Sequence, residues 1–314
     1  MADINIGEIA ATTLRNRSKK LADNVLNHNA LFARLNRKGM VKPVSGGREI
    51  IQELEYAENG TAGWYSGYEV LDITPQDVFD AATYDWKQLA GNVTISGLES
   101  LKNSGKEATI NLLASRIKNL EKTLQNNAAT AVYANGTTDT KSLGGLQLLI
   151  ADDPTASSSV GGINQSTYSW WRNNYSAAAA TSAGNIGTRM NAMWLTCLRG
   201  TDKPDFITAD ATEYTFFEAS LQQYQRFSDA SEAEMGFESL KYKTADVFYD
   251  DQCPSKHMYF CNTDYICLRP HTDRQFVPLE DRNSINQDAM VIPVVWAGNM
   301  TVSNRSLQGV IIDD

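Results

Sequence analysis

Five side chains able to ligate a metal fall within nineteen residues: Cys253, His257, Cys261, Cys267 and His271. Thiolates and imidazoles are the ligands that zinc takes tetrahedrally. The spacing argues for something plainer. There is no Cys-x-x-Cys knuckle, and His257-Met258-Tyr259-Phe260-Cys261 and Tyr265-Ile266-Cys267-Leu268 alternate like two strands about an Asn262-Thr263-Asp264 turn. In such strands cysteine is a small hydrophobe, and core packing is favoured over zinc. One further histidine, His28, completes the chain's supply, so imidazole catalysis has little to draw on.

Other catalytic patterns are weaker. No Gly-x-Ser-x-Gly elbow occurs. Ser100-Leu-Lys-Asn-Ser-Gly105-Lys106-Glu107 approaches a phosphate loop, but it lacks the first glycine and puts Glu107 where a hydroxyl must hold magnesium. Asp152-Asp153 and Asp250-Asp251 follow strand-like runs and read as loop punctuation; glycosidase chemistry needs two carboxyls converging across a cleft. The sequence therefore assigns no catalytic residue, no cofactor and no metal, and reads as poor in the usual catalytic residues.

The chain has 314 residues, 42 % hydrophobic and 21 % charged, with 37 acids against 28 bases and a net charge of −9. That is enough for two domains or one large one with insertions, and it disfavours a globally basic nucleic-acid binder. The longest nearly apolar run, Val291 to Ala297, is far too short to span a bilayer, which needs about twenty residues. Met1 to Ile9 has no secretory pattern, and four cysteines make no disulfide scaffold. Cytoplasmic synthesis is the expectation.

Charge is segregated. Residues 1–42 hold eight bases and three acids; residues 48–86 hold Arg48 alone against nine acids, among them Glu49, Glu53, Glu55 and Glu58; residues 87–135 return to six bases and three acids. A −8 stretch repels itself and is either a solvated face or an arm that docks on something basic. The basic leader is expected to meet a protein partner, with salt-sensitive, sequence-independent nucleic-acid contact as the second choice.

The elements that carry these charges follow from periodicity. Residues 4–36 are loosely helical; Gly39, Pro43 and Gly46-Gly47 break them. Residues 48–56 and 79–89 alternate as two strands, and between them lie Gly60, Gly63, Trp64, Tyr65, Gly67 and Tyr68. The pattern is a long hairpin with an aromatic tip, leading through Val93 and Ile95 to a turn near Gly97. Ser104-x-x-Glu107 is a capping box, and Ile110, Leu113, Ile117, Leu120 and Leu124 make one apolar stripe. This predicts a helix over 105–134, stopped by Asn135-Gly136. Beyond it the sequence predicts a strand over Leu146 to Ile150, a polar loop over 152–166, a short helix over Ser166 to Asn174 and a linker over Ala177 to Ala183. A helix over Gly187 to Leu198, a strand over Phe206 to Thr208 and a helix opened by the capping box Asp210-x-x-Glu213 follow. Late strands are expected at 245–249, 257–261, 265–269, 290–296 and 307–312. Helices and strands mix without a βαβ period, so the class is α+β.

This layout resembles the major capsid proteins of tailed bacteriophages with the Hong Kong 97 (Johnson) fold. Gly46-Gly47-Arg48, Trp64-Tyr65-Ser66-Gly67-Tyr68, Tyr84-Asp85-Trp86-Lys87, Gly144-Gly145-Leu146, Asp281-Arg282-Asn283 with Asn286-Gln287-Asp288, and Asn304-Arg305-Ser306-Leu307-Gln308-Gly309 carry the resemblance. It covers nearly the whole chain, and the order of the motifs gives it specificity. It implies an N-terminal arm (1–42), an extended loop (43–95), a peripheral domain with a spine helix (96–143 plus 265–303) and a mixed α/β axial domain (144–264), which the last strand (304–314) rejoins.

The implied function is structural: self-assembly into hexamers and pentamers of an icosahedral virion shell, built in the bacterial host cytoplasm around double-stranded DNA held by non-specific contact. Net acidity suits an inner wall that must not bind that DNA tightly. No membrane is involved. Implied contacts between subunits set Arg48, Glu49, Glu53, Glu55, Glu58, Trp64, Tyr65 and Tyr68 of the loop against Lys102, Lys106, Arg116, Lys118 and Lys122 near the spine, with Arg282 as a further contact. No lysine lies between Lys42 and Lys87, so the loop lacks the nucleophile that some members use for isopeptide cross-links. A fused scaffolding segment is not expected, which implies a separate scaffolding protein and a portal, or an already processed form. An encapsulin-like nanocompartment is the nearest alternative reading. An α+β enzyme of small oligomeric state is the other.

Overall fold

The computed structural model describes residues 29–102, 106–136, 140–178, 180–221, 239–279, 282–283 and 288–313. In chain order the first half contains α1 (Ala30–Arg37), β1 (Ile50–Glu55), β2 (Phe79–Tyr84), β3 (Lys87–Ser96), α2 (Gly97–Lys102), α3 (Lys106–Ala131), α4 (Leu146–Leu149), β4 (Ser159–Val160), β5 (Ile163–Asn164) and β6 (Asn174–Ala178). The second half contains α5 (Ile186–Thr196), β7 (Phe206–Ala209), α6 (Ala211–Leu221), β8 (Ser239–Tyr242), β9 (Ala245–Tyr249), β10 (His257–Cys261) and β11 (Ile266–Pro270). It closes with β12 (Val277–Pro278), β13 (Arg282–Asn283), β14 (Ala289–Val302) and β15 (Gly309–Asp313). Among these residues no helix is long and apolar enough to cross a membrane.

Two sheets organise the body. One is β6-β15-β10-β7-β9-β8, with β15 parallel to β6 and β7 parallel to β9. The other is built on β14, which pairs with β11, β12, β13 and β3. Parallel and antiparallel pairs coexist with helices between them, the α+β class expected. Helices α5 and α6 cover the first sheet through a core of Ile186, Met190, Met193, Trp194, Ile207 and Phe217. A larger core joins α1, α3, β3, β14 and the first turns of the chain beyond α3.

Local chemistry explains where the elements begin and end. The Asn29 side chain accepts from the Leu31 amide at 2.9 Å and caps α1. α3 spans 26 residues, about 39 Å at 1.5 Å per residue; its predicted capping serine, Ser104, lies outside the described residues. Ile117, Leu120 and Leu124 of the stripe are buried, and Gly91 of β3 leaves the room that Leu120 fills. The helix stops at Ala131, three residues early. Tyr133 and Ala134 bond back only three residues, to Thr130 and Ala131, and the carbonyls of Val132 and Ala134 are claimed by the amides of Leu146 and Gly145.

Other boundaries differ from expectation for identifiable reasons. The strand predicted over 79–89 breaks at Asp85-Trp86. The Trp86 indole donates to the Gly47 carbonyl (3.0 Å) and the Asp85 carbonyl accepts from Asn299 (2.8 Å), so the chain turns from one sheet into the other. Gly97 opens a helix rather than a turn. Leu146 to Ile150 forms a helical turn in place of a strand: the Leu146 amide is fixed on Val132, and Leu146, Leu149 and Ile150 are buried together. Within the polar loop, Gly161 and Gly162 at φ +60° and +78° turn a small hairpin. The helix expected at 166–174 shrinks to a 3-10 turn at Ser169–Trp171, and β6 takes the start of the expected linker. Half of the second capping box forms, with the Glu213 amide donating to Asp210 Oδ1 at 2.9 Å. The reciprocal half does not, because the Asp210 amide already donates to the His257 carbonyl.

Candidate functional site

β1 and β2 form the root of a ribbon, from Ile50 opposite Tyr84 to Glu55 opposite Phe79. Alternation decides its faces. Ile50, Leu54, Ala82 and Tyr84 point into the main core, and Gln52, on the same face, accepts from Arg269 at 2.8 Å. The Thr83 amide donates to the Gly161 carbonyl, which ties the root to the β4–β5 hairpin. Where the ribbon leaves the body, the Tyr56 ring stacks on Trp170 at 4.8 Å, and its hydroxyl donates to the Asp77 carbonyl across the ribbon.

Beyond that point the side chains meet water. Trp64 and Tyr68 are 105 % and 106 % exposed, and Val70 and Ile73 98 % and 91 %. Tyr65 and Leu71 are also exposed. Local bonds shape this segment: Glu69 accepts from the Ser66 amide, and Asp72 accepts from the Thr74 amide and hydroxyl, which holds its carboxyl below the usual range. Large apolar side chains grouped on one surface mark an interaction site. Burying each aromatic is worth roughly 1.5–3 kcal/mol, which these exposed side chains forgo.

The charges expected to flank this surface divide into two groups. Arg48, Glu53, Glu55 and Glu58 are exposed and Glu49 is half-buried. No ion pair joins these four glutamates to a base among the described residues. On α3, Lys118 and Lys122 face solvent. Arg116 does not share their availability: its guanidinium sits on Glu99 at 2.6 Å and on the Thr94 carbonyl, and holds the Glu99 carboxyl below its ordinary pKa. Lys102 ends α2, Lys106 opens α3 and Arg282 lies on β13 opposite Val291.

Two arrangements were not legible in the sequence. At the end of the basic leader, Arg34 reaches Asp205 (3.3 Å) and Asp246 (3.2 Å), and Lys38 reaches Asp205 (2.9 Å) and Asp264 (2.8 Å). These bases are answered inside the chain rather than by a partner. The acids come from three separate places in the chain, so no local pattern announces them. Arg305 is fully buried. It donates to the Leu149 and Trp171 carbonyls (2.7 and 2.9 Å) and to the side-chain oxygens of Gln165 and Asn173 (both 3.0 Å). All four acceptors are neutral, and burial pushes its pKa down to about 10. An arginine inside an otherwise quoted motif, Asn304-Arg305-Ser306, was the only available signal.

The cysteine–histidine cluster is dispersed by the fold. Cys253, Cys261 and Cys267 are buried, and burial pushes their thiol pKa values up. His257 Nε2 lies 3.2 Å from Asp152; burial disfavours its charge, but the Asp152 carboxylate outweighs that and raises its pKa. His271 packs against the Trp86 ring. Among the described residues no three His, Cys, Asp or Glu side chains converge as metal ligands.

No protein-family model matches this sequence, and no curated protein does. Solved structures do match. The cyanophage A-1(L) capsid subunit superposes with a TM-score of 0.68 at 15 % identity, over 88 % of this chain and 92 % of that one. The capsid of an empty GTA particle gives 0.58 at 13 %, over 88 % of each chain. The SrpI encapsulin of Synechococcus elongatus gives 0.51 at 10 %, over 86 % of this chain and 83 % of that one. The fold is therefore that of capsid and encapsulin shell subunits, shared over almost the entire length of each.

Proposed function

We propose that this chain is a major capsid protein: a non-enzymatic subunit whose copies form the hexamers and pentamers of an icosahedral phage head around double-stranded DNA. The observation that carries the proposal is the outer ribbon, whose Trp64, Tyr65 and Tyr68 are bare in the single chain. Copies supply what the chain lacks. In this reading residues 1–42 are the N-terminal arm, 43–95 the extended loop, 96–143 with 265–303 the peripheral domain around α3, and 144–264 the axial domain, joined by the last strand. The acidic ribbon crosses to a neighbour's basic surface around Lys102, Lys106, Lys118 and Lys122; Arg48 and Arg282 belong to the same contact. Each exposed pair is worth about 0–1 kcal/mol, so the aromatics provide most of the burial. A separate scaffolding protein and a portal complete the particle.

The encapsulin alternative shares the fold. The higher TM-score with the cyanophage capsid, 0.68 against 0.51, favours the phage head. Expression alone and with a scaffolding protein, followed by gel filtration and negative-stain imaging, tests the proposal. Megadalton shells or capsomers are the expected result. A monomer that persists at high concentration overturns it, and shells packed with a protein cargo would favour the encapsulin reading.

A further inference from the structure

We infer that the cavity beside the C-terminal half of α3 is the socket in which the ribbon tip of a second copy seats; this rests on the shell reading above. The cavity measures about 770 Å³, within the roughly 300–1,000 Å³ of sites that enclose a ligand. Phe32, Leu89, Leu143, Phe276 and Trp296 give it an apolar lining. Asn127, Thr130, Lys141 and Gln252 are exposed at its mouth. Among the described residues that line it, the charged side chains are Lys87 and Lys141, and none is a carboxylate.

The ribbon tip is the complement. No base lies between Arg48 and Lys87, and Glu58, Glu69, Asp72 and Asp77 surround Trp64, Tyr65 and Tyr68. Within one chain Trp64 and Tyr68 are wholly exposed, so the cavity holds neither. Aromatic anchors that enter a desolvated pocket dominate interface energetics, while flanking charges set orientation. Lys87 already donates to the Thr140 carbonyl at 2.7 Å; an ammonium has three donors, which leaves capacity for an incoming carboxylate. Ala128, half-buried on α3, lines the cavity, and its small side chain keeps the space open.

The test places a photo-crosslinking phenylalanine analogue at Tyr68 in the full chain and maps the adduct in assembled particles by mass spectrometry. An adduct joining two chains, on the peptides around Asn127–Lys141 or Lys87–Leu89, supports the socket. An adduct within one chain, or on any other surface, overturns it. Ala128→Trp, which fills the cavity, and Lys141→Glu should each cut particle yield about tenfold or more with subunit melting unchanged, and Glu69→Lys should restore part of the Lys141→Glu loss. If Trp64→Ala with Tyr68→Ala abolishes particles while Lys141→Glu and a folded Ala128→Trp assemble normally, the socket is wrong and the shell reading stands. If the parent chain itself forms no particles, the shell reading is what fails.

Discussion

The root and the outer half of the ribbon are one continuous piece of chain in opposite states. At the root, Ile50, Leu54, Ala82 and Tyr84 are buried and the backbone is paired to the body through Gly161. Past Tyr56 the same kinds of side chain stand in water. A two-stranded ribbon is marginal on its own, so the root exists because the body underlies it. The outer half has no such support among the described residues. One end of the ribbon is a folding element; under the proposed function the other is an assembly element.

Mutations should separate the two. Trp64→Ala with Tyr68→Ala should abolish particles and leave the melting temperature of the free subunit unchanged. Leu54→Ala at the root should do the reverse first, costing about 2–5 kcal/mol of subunit stability, measurable by urea denaturation. Equal effects of both changes on subunit melting would erase the distinction.

Arg305 sharpens it from beneath. The root leans on the Gly161 carbonyl, and the Trp171 indole holds the adjacent Val160 carbonyl, while Arg305 holds the Trp171 carbonyl and Gln165. Arg305→Ala leaves the Leu149 and Trp171 carbonyls and Gln165 Oε1 unpaired, at about 1–3 kcal/mol each before relaxation, while Asn173 Oδ1 keeps the Ala151 amide. A loss of more than about 3 kcal/mol is expected, with faster amide exchange at Thr83 and none added at the tip. Retained protection at Thr83 would show that the root does not depend on this support.

Glu213 supplies a control remote from the ribbon. Its carboxyl is buried, faced by Asp313 from β15, Asp210 from the start of its own helix, Arg189 from α5 and the Thr181 hydroxyl. Burial first, and then Asp313, raises its pKa from 4.5 to about 7. The folded chain thus keeps a proton that the unfolded chain releases, and stability from this group falls as pH rises through that interval. Glu213→Gln should melt about 2–4 °C above the parent at pH 8 and level with it at pH 5. Ribbon-dependent assembly at fixed pH should not change. An equal gain at both pH values would count against the proton linkage.

The smallest effect belongs to the ribbon's charges taken singly. Glu53→Lys should alter one contact by about 0–1 kcal/mol, visible as a shift in the salt dependence of assembly. Reversing Glu53 and Glu55 together should impair shells outright. Normal particle yield from the double reversal would leave the aromatics as the whole contact.

How much of this could be read from residue order depends on the range of the interaction. The stripe Ile117, Leu120, Leu124 gave α3, and the alternation of Ile50 and Leu54 gave the root, because both are local periodicities. Asp210 gave its helix start for the same reason. The break at Asp85-Trp86 hinges on Gly47 and Asn299, and β6 is a strand because β15 lies beside it; neither partner is nearby in sequence. The helical turn at Leu146 reads as a strand in the sequence because four apolar residues among five do not distinguish the two periods. The tip aromatics and acids were legible as an unusual composition, whereas the cavity inferred to receive them is assembled from α1, β3, α3 and residues near Gln252 and Trp296, and no window of sequence contains it.

The stacked Tyr56 and Trp170 rings sit where the ribbon departs from the body. An arm that swings about that point must part them, so its angle is written into the environment of an indole that the protein already carries. In a chain whose other five tryptophans are replaced by phenylalanine, fluorescence from that indole would then follow the arm in solution as subunits go from solitary to assembled.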